Sequence, residues 1–179
     1  IYSKLIACYI FIGIISFLFA TACGSHFIEN YLEKEVGTRL YDSALRLAEH
    51  KLIRQEIVDN DTDGLQRTVD ILASREEAGI LVLSKDFQVL VHSSDITGPT
   101  GNSSITDFDP EFWQKLSYGV SKFYGYFSSL YLNVVVPVNS NGVTEGYVTY
   151  HYDMQELYQK RSELLAILQL VFLVVYLLC

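Results

Sequence analysis

The sequence predicts an α+β fold in which an antiparallel sheet, approached by a long helix, is held between two membrane-spanning segments. Three observations carry that prediction. Apolar runs stand at both ends of the 179-residue chain, Leu5 to Cys23 and Leu164 to Cys179, and at ~1.5 Å per residue the first can cross a bilayer core. The polar middle contains a tight hairpin pattern from Gly79 to Asp95, GILVLSKDFQVLVHSSD. Its two apolar runs, Ile80 to Leu83 and Phe87 to Val91, are rich in residues that suit a pleated surface, and Ser84-Lys85-Asp86 turns the chain between them. Between the first run and the hairpin, Ile28, Leu32, Val36, Leu40, Ala44, Ala48 and Leu52 repeat at helical spacing.

The first run is read as a transmembrane helix over 1–25. A cleaved signal peptide is the rival reading, with Lys4 as the charged flank and Ala20-Thr21-Ala22 resembling a cleavage site, but the run exceeds the ~7 to 15 residues of a usual apolar region. The long helix is expected to continue to about Val58, reaching roughly 50 Å beyond the span. Its membrane-proximal half is expected to pack against a second copy of the chain, giving a homodimer. Asp63, followed three residues later by Gln66, suggests a capping box for a helix through Ala73, with Leu65, Val69 and Leu72 on one face.

After the hairpin, Gly98, Pro99, Gly101 and Asn102 mark a loop from Ile96 to Ser104. Asp109-Pro110-Glu111 starts a short helix, through about Leu116, that is expected to carry Phe112, Trp113 and Leu116 into a core. Lys122 to Ser128 alternates as a strand would. Leu132, Val134, Val136 and Val138 share one face of the next strand, Asn139 to Gly142 is a turn, and Val143 to Tyr152 is the last strand. Pro137 points to an edge or a bulge. Asp153 caps a final helix that Glu156 helps to close, so strand passes into helix without a linker, and this pair is assigned to signal coupling. The predicted domains are therefore 1–25, a central unit at 26–153, and a second membrane helix at 154–179. The chain opens on Ile1, its one methionine is Met154, and it is still apolar at Cys179, so it is expected to be a portion of a longer protein.

The hydrophobic share of 50% and mean hydropathy of +0.21 reflect the two ends. All 21 acidic residues lie between the apolar runs, which argues against a nucleic-acid surface. Cys8, Cys23 and Cys179 lie in or beside those runs, so no disulfide framework is predicted. No nucleophile and base pair, phosphate loop or clustered cysteine site appears, and we expect no catalytic residue, cofactor or metal here.

Four further patterns each carry a functional and a plain structural reading. Asp59-Asn60-Asp61-Thr62-Asp63-Gly64 opens like a calcium loop, but Asp70 stands where a bidentate glutamate is wanted, so a solvated acidic break is the favoured reading. Asn60 and Asn102 begin glycosylation sequons, which matter only in a eukaryotic secretory pathway. His26, His50, His92 and His151 lack ligand spacing, and the strand histidines His92 and His151 are expected to be half-exposed surface unless their strands are neighbours. The tyrosines and phenylalanines from Tyr118 to Tyr152 suit a core or a sheet surface first and a ligand pocket second. If there is a pocket, its residues are expected to be Ser93, Lys122, Tyr124, Tyr126 and Tyr147.

The long helix after the first span, ILVLSKDFQVLVHSSD, the later pair LNVVVPVNSNGVTEGYVTYHYDM, and direct passage into a second span resemble the extracytoplasmic PAS-like (single Cache) sensor region of bacterial transmembrane sensor histidine kinases. Hairpins of that family carry aspartate and glycine in a D-x-D-G turn; Ser84 and Phe87 stand in two of those places. The resemblance implies a five-stranded antiparallel sheet with a pocket on one face, in a dimeric multi-pass receptor of the cell membrane whose central domain is extracytoplasmic. It further implies an unknown small-molecule or protein ligand. The function expected is sensing and transmembrane signalling. A chemoreceptor or cyclase sensor region, a non-sensing structural or partner-binding membrane subunit, and an ectoenzyme are the alternatives.

Overall fold

The computed structural model describes residues 2–59, 62–94, 96 and 104–178. Asn60, Asp61, Asn102 and most of the loop expected at 96–104 lie outside the described residues. The elements are α1 (Tyr2–Glu49), α2 (Lys51–Asp59), α3 (Thr62–Glu76), β1 (Gly79–Ser84), β2 (Val89–His92), α4 (Pro110–Gln114), β3 (Gly119–Ser121), β4 (Tyr131–Ser140), β5 (Val143–Asp153) and α5 (Met154–Leu178). The chain divides into two compact units: Ile1–Lys34 with Gln155–Cys179, and Glu35–Met154.

In the first unit the N-terminal part of α1 lies antiparallel to α5. Tyr9 stacks on Tyr176 at 4.9 Å, Phe17 meets Phe172 at 5.6 Å, and Arg161 Nη1 donates to Glu29 Oε2 at 2.6 Å. Gly13 sits under the Tyr176 ring, where a Cβ would collide. Both helices are long and apolar enough to cross a membrane, and their apolar side chains are largely exposed.

In the second unit a five-stranded antiparallel sheet has the order β2-β1-β5-β4-β3. The two long strands pair from Tyr131↔Asp153 to Ser140↔Val143. Alternation sends Ile80, Val82, Val134, Val136, Val148 and Tyr150 to one face and Leu81, Leu83, Asn133, Val135, Tyr147, Thr149 and His151 to the other. The helices cover the first face. Leu40, Ala44, Ile53, Ile57, Leu65, Val69 and Ala73 are all buried there, each large side chain worth about 1.5–3 kcal/mol in area removed from water. Gly146 lets α2 come down on the sheet: a Cβ at this position would collide with the Leu83 carbonyl and press on Ile57 at 3.3 Å.

Four local expectations are corrected. The long helix does not run unbroken to Val58; it ends at Glu49 and α2 begins at Lys51. The His50 N–H bonds three residues back to Leu47 O at 3.1 Å, and Arg54 Nε takes the Ala48 carbonyl at 3.2 Å, so the break is satisfied without proline or glycine. Gln66 does not close a capping box: its Nε2 donates to Asp70 Oδ2 at 3.1 Å and to His92 O at 2.8 Å, tying α3 to β2. Lys122 to Ser128 is not a strand. β3 stops at Ser121, and Phe123, Tyr124 and Gly125 take positive φ values of 44°, 54° and 76°. Finally, His151 is fully buried, and β1 lies between the strands of His92 and His151.

Pro137 lies on β4 where β5 pairs on one side only, since β3 reaches no further than Asn133. Its missing N–H therefore costs no ladder bond. The hairpin turn is closed by Ser84. Ser84 Oγ accepts from the N–H groups of Asp86 and Gln88, both at 3.2 Å, while Phe87 takes the left-handed conformation at φ 62°. That conformation disfavours a ring residue by about 1–2 kcal/mol. The ring is held by Phe108 at 4.8 Å and Tyr147 at 5.8 Å.

Candidate functional site

The sheet face opposite α2 and α3 carries the only buried polar cluster that the strand pattern concentrates in one place among the described residues. Asn133 on β4 and Thr149 and His151 on β5 interrupt otherwise apolar strands. Asn133 Nδ2 donates toward Ser121 O, Ser121 Oγ and Tyr131 O at 3.1, 3.0 and 2.9 Å. Its Oδ1 is therefore the group facing His151 Nδ1 at 2.8 Å, which assigns the ring proton to Nδ1. Nε2, left without a proton, then accepts the single proton of Thr149 Oγ1 at 2.8 Å in preference to the Leu81 carbonyl, which lies 3.2 Å from the same oxygen. Burial pulls the His151 imidazole down to about 3, so the ring is neutral and serves as a hydrogen-bonding hub.

Aromatic rings close over this trio. Phe123 and Phe127 present edges to His151 at centroid distances of 4.5 and 4.8 Å. The left-handed turn at Phe123 and Tyr124 is what folds these side chains inward, and Ser121 Oγ supports it by accepting the Phe123 N–H at 3.2 Å. Phe108 touches Phe123 and Tyr147 at 6.3 and 5.2 Å, and Trp113 from α4 lies 6.1 Å from Phe123. Phe112 and Leu116, expected in the core with Trp113, are exposed, because α4 ends at Gln114 and presents one side chain inward. The α4 helix is placed by Asp109, whose Oδ1 accepts the Phe112 N–H at 3.1 Å, and by Pro110 at its first turn.

Of the five expected pocket residues, three belong to this lid. Tyr147 is buried at its centre, and burial raises its hydroxyl above the usual tyrosine range. Tyr124 clasps α4, its hydroxyl accepting from Trp113 Nε1 at 2.9 Å and from the Asp109 N–H at 3.1 Å. Tyr126 is half-buried beside Phe127 at 5.1 Å. Lys122 stands exposed at the start of the turn. Ser93 is buried but committed to the backbone of β1: its Oγ accepts the Ile80 N–H at 3.0 Å and its N–H donates to Ile80 O at 2.9 Å. Sequence reasoning missed Asn133, Thr149 and His151. The available signal was three polar residues on a single face of two paired, valine-rich strands.

Asp153 is the last residue of β5, opposite Tyr131, and α5 begins at Met154, whose N–H bonds Leu130 O at 3.2 Å. Glu156 lies in the first turn of α5. Among the described residues no group of three or more His, Cys, Asp or Glu is placed to hold a metal. Thr149 and Asn133 are 0% exposed and His151 is 1% exposed, so the hydroxyl that faces the imidazole is sealed beneath the rings and the trio acts as a packed hydrogen-bonding core.

No protein-family model matches the chain, and no curated protein does. Solved structures do. The sensor domain of DcuS from E. coli superposes with a TM-score of 0.56 at 17% identity, covering 72% of this chain and 96% of that one. The extracellular domain of a candidate histidine kinase, vpHK1S-Z8, gives 0.52 at 13% identity over 76% of this chain and 58% of its own. A domain of a candidate sensory box/GGDEF family protein from Vibrio parahaemolyticus gives 0.50 at 13% identity, over 77% of this chain and 62% of its own. This chain thus spans less than two thirds of the latter two. The long helix, the strand order and these likenesses together establish that the chain has the PAS-like fold that these sensor domains share.

Proposed function

We propose that the chain is the sensing and membrane-coupling part of a bacterial receptor, with a sensor histidine kinase as the preferred output and a chemoreceptor or cyclase as the runner-up. The central unit, 26–153, is outside the cytoplasmic membrane in this reading, α1 and α5 supply spans at 1–25 and 154–179, and two copies form the receptor. The observation that carries it is the absence of any residue between β5 and α5: the strand that bears Tyr147, Thr149 and His151 ends at Asp153, and the apolar helix starts at Met154. A ligand that favours one packing of the lid, through Tyr124, Tyr126 and Tyr147, biases β5, and through Asp153 and Glu156 it biases the helix. The bias is limited to the ligand's differential affinity for the two packings.

Glycines inserted between Tyr152 and Asp153 in the full-length receptor test this. Output in cells is expected to become insensitive to the stimulus, while the sheet remains folded as read by Trp113 fluorescence. Normal stimulus-dependent output from the insertion variant would overturn the reading.

A further inference from the structure

The other face of the sheet holds a feature that the lid does not explain. Between α1, α2 and α3 lies a cleft of about 440 Å3, within the size range of small-molecule sites. Its walls are Leu47, Ile53 and Leu72, its rim carries Arg46 and Arg75, and its floor is Tyr150 of β5.

Two properties set it apart from a packing defect. Tyr150 is 1% exposed, yet its hydroxyl makes no hydrogen bond among the described residues. The oxygen is not a sealed orphan: it opens on the cleft, where water or a ligand can accept from it. Burial, together with Glu76, raises this hydroxyl above the usual range while Arg75 and Arg46 oppose the shift, so it is a neutral donor set beside cationic side chains. The second property is charge. The chain has a net charge of −8, but two guanidinium groups converge here. Arg75 is bonded to Glu76 at 2.8 Å, whereas Arg46 donates only to the neutral Ser43 Oγ, at 3.0 Å, and forms no ion pair among the described residues.

We propose that this cleft binds a small organic anion, its oxyanion head held between Arg46 and the Tyr150 hydroxyl and its short apolar body lying against Leu47, Ile53 and Leu72. An oxyanion supplies the acceptor that Tyr150 lacks and the counter-charge that Arg46 lacks, in charge-assisted hydrogen bonds. The apolar walls exclude a fully hydrated inorganic ion as the best ligand. Because Tyr150 lies three residues before Asp153 on the strand that also bears His151, occupancy here reaches the same strand from the side opposite the lid.

The test uses the full chain in lipid nanodiscs and 19F NMR of 6,6,6-trifluorohexanoate, with empty nanodiscs as the blank. Saturable binding is expected, with a Kd on the order of 1 mM, the affinity a ligand of this size reaches. Unlabelled hexanoate or hexyl phosphate should displace the probe, the tighter of the two naming the head group, and neutral 1-hexanol should not. Arg46→Gln should weaken binding about tenfold and Tyr150→Phe about threefold to tenfold. Both variants should unfold at the wild-type urea midpoint, because neither removes a bond that holds the fold together. Absence of saturable binding, equal displacement by 1-hexanol, or unchanged affinity in Arg46→Gln would overturn the proposal. Binding is read on the chain itself, so its failure leaves the receptor reading standing, and the insertion test leaves this one standing.

Discussion

The two faces of the sheet solve the burial of polar groups in opposite ways. On the lid face, Asn133, Thr149 and His151 are buried and bonded to one another and to the backbone, under rings that pack edge to face. On the helical face the Tyr150 ring is just as buried, but its hydroxyl opens on the cleft and bonds no other described residue. A satisfied buried network rigidifies the packing around it, while a hydroxyl that opens on a cleft bonds water and exchanges it for a better acceptor at little cost to the fold. The same strand, β5, carries both, through alternate residues. The lid face is accordingly the more tightly packed one, and the helical face carries the open cleft.

Substitutions on the two faces should therefore differ sharply in their effect on stability, read as the urea unfolding of the full chain by the fluorescence of Trp113, its one tryptophan. The largest effect is expected at Phe123, which is fully buried and touches His151, Trp113 and Phe108. Phe123→Ala should cost about 3–5 kcal/mol. A loss below about 1 kcal/mol would mean that the rings do not form a packed lid.

A second difference lies in pH dependence. Burial holds His151 at about 3, against an ordinary value of 6.5. Between those values the unfolded chain binds a proton that the folded chain refuses. The contribution is thus complete above pH 6.5 and is lost as pH falls toward 3, by about 1.4 kcal/mol per pH unit. His151→Gln should flatten the acid limb of the stability curve by that one-proton slope, and an unchanged limb would contradict burial of a neutral ring. The smallest effect is expected on the opposite face, where Tyr150→Phe should change stability by no more than about 0.5 kcal/mol. The equivalent change on the lid face, Tyr124→Phe, removes an acceptor from Trp113 Nε1 and should cost about 1–2 kcal/mol.

Much of this architecture was legible in the sequence. The hairpin from Gly79, the buried row Leu132, Val134, Val136 and Val138, the helical stripe from Val36 to Ala48 and the passage from Asp153 into a helix all follow from periodicity and turn chemistry. What was not legible has a common cause. The sheet is covered on both faces, so period-two alternation names two sides without saying that either is wet. His151 reads as a surface residue in T-Y-H-Y-D until its face is known to be buried. The segment from Phe123 to Phe127 fails for a related reason: aromatic residues on both sides of Gly125 mimic a strand, while three successive positive φ values fold the rings to one side. The break at His50 has no residue signal at all, being set by tertiary packing of Leu47, Ile53 and Ile57. The cleft depends on which side chain a folded hydroxyl fails to meet, which no pattern in the chain records.

The account rests on the sheet running into α5 as one continuous element, and amide hydrogen exchange of the full chain tests that directly. The Met154 amide, bonded to Leu130 O, is expected to exchange within about tenfold of the central β5 amides such as Val148 and Tyr150, since groups in one cooperative unit open together. Exchange at Met154 as fast as in the exposed Asn141-Gly142 turn would contradict it.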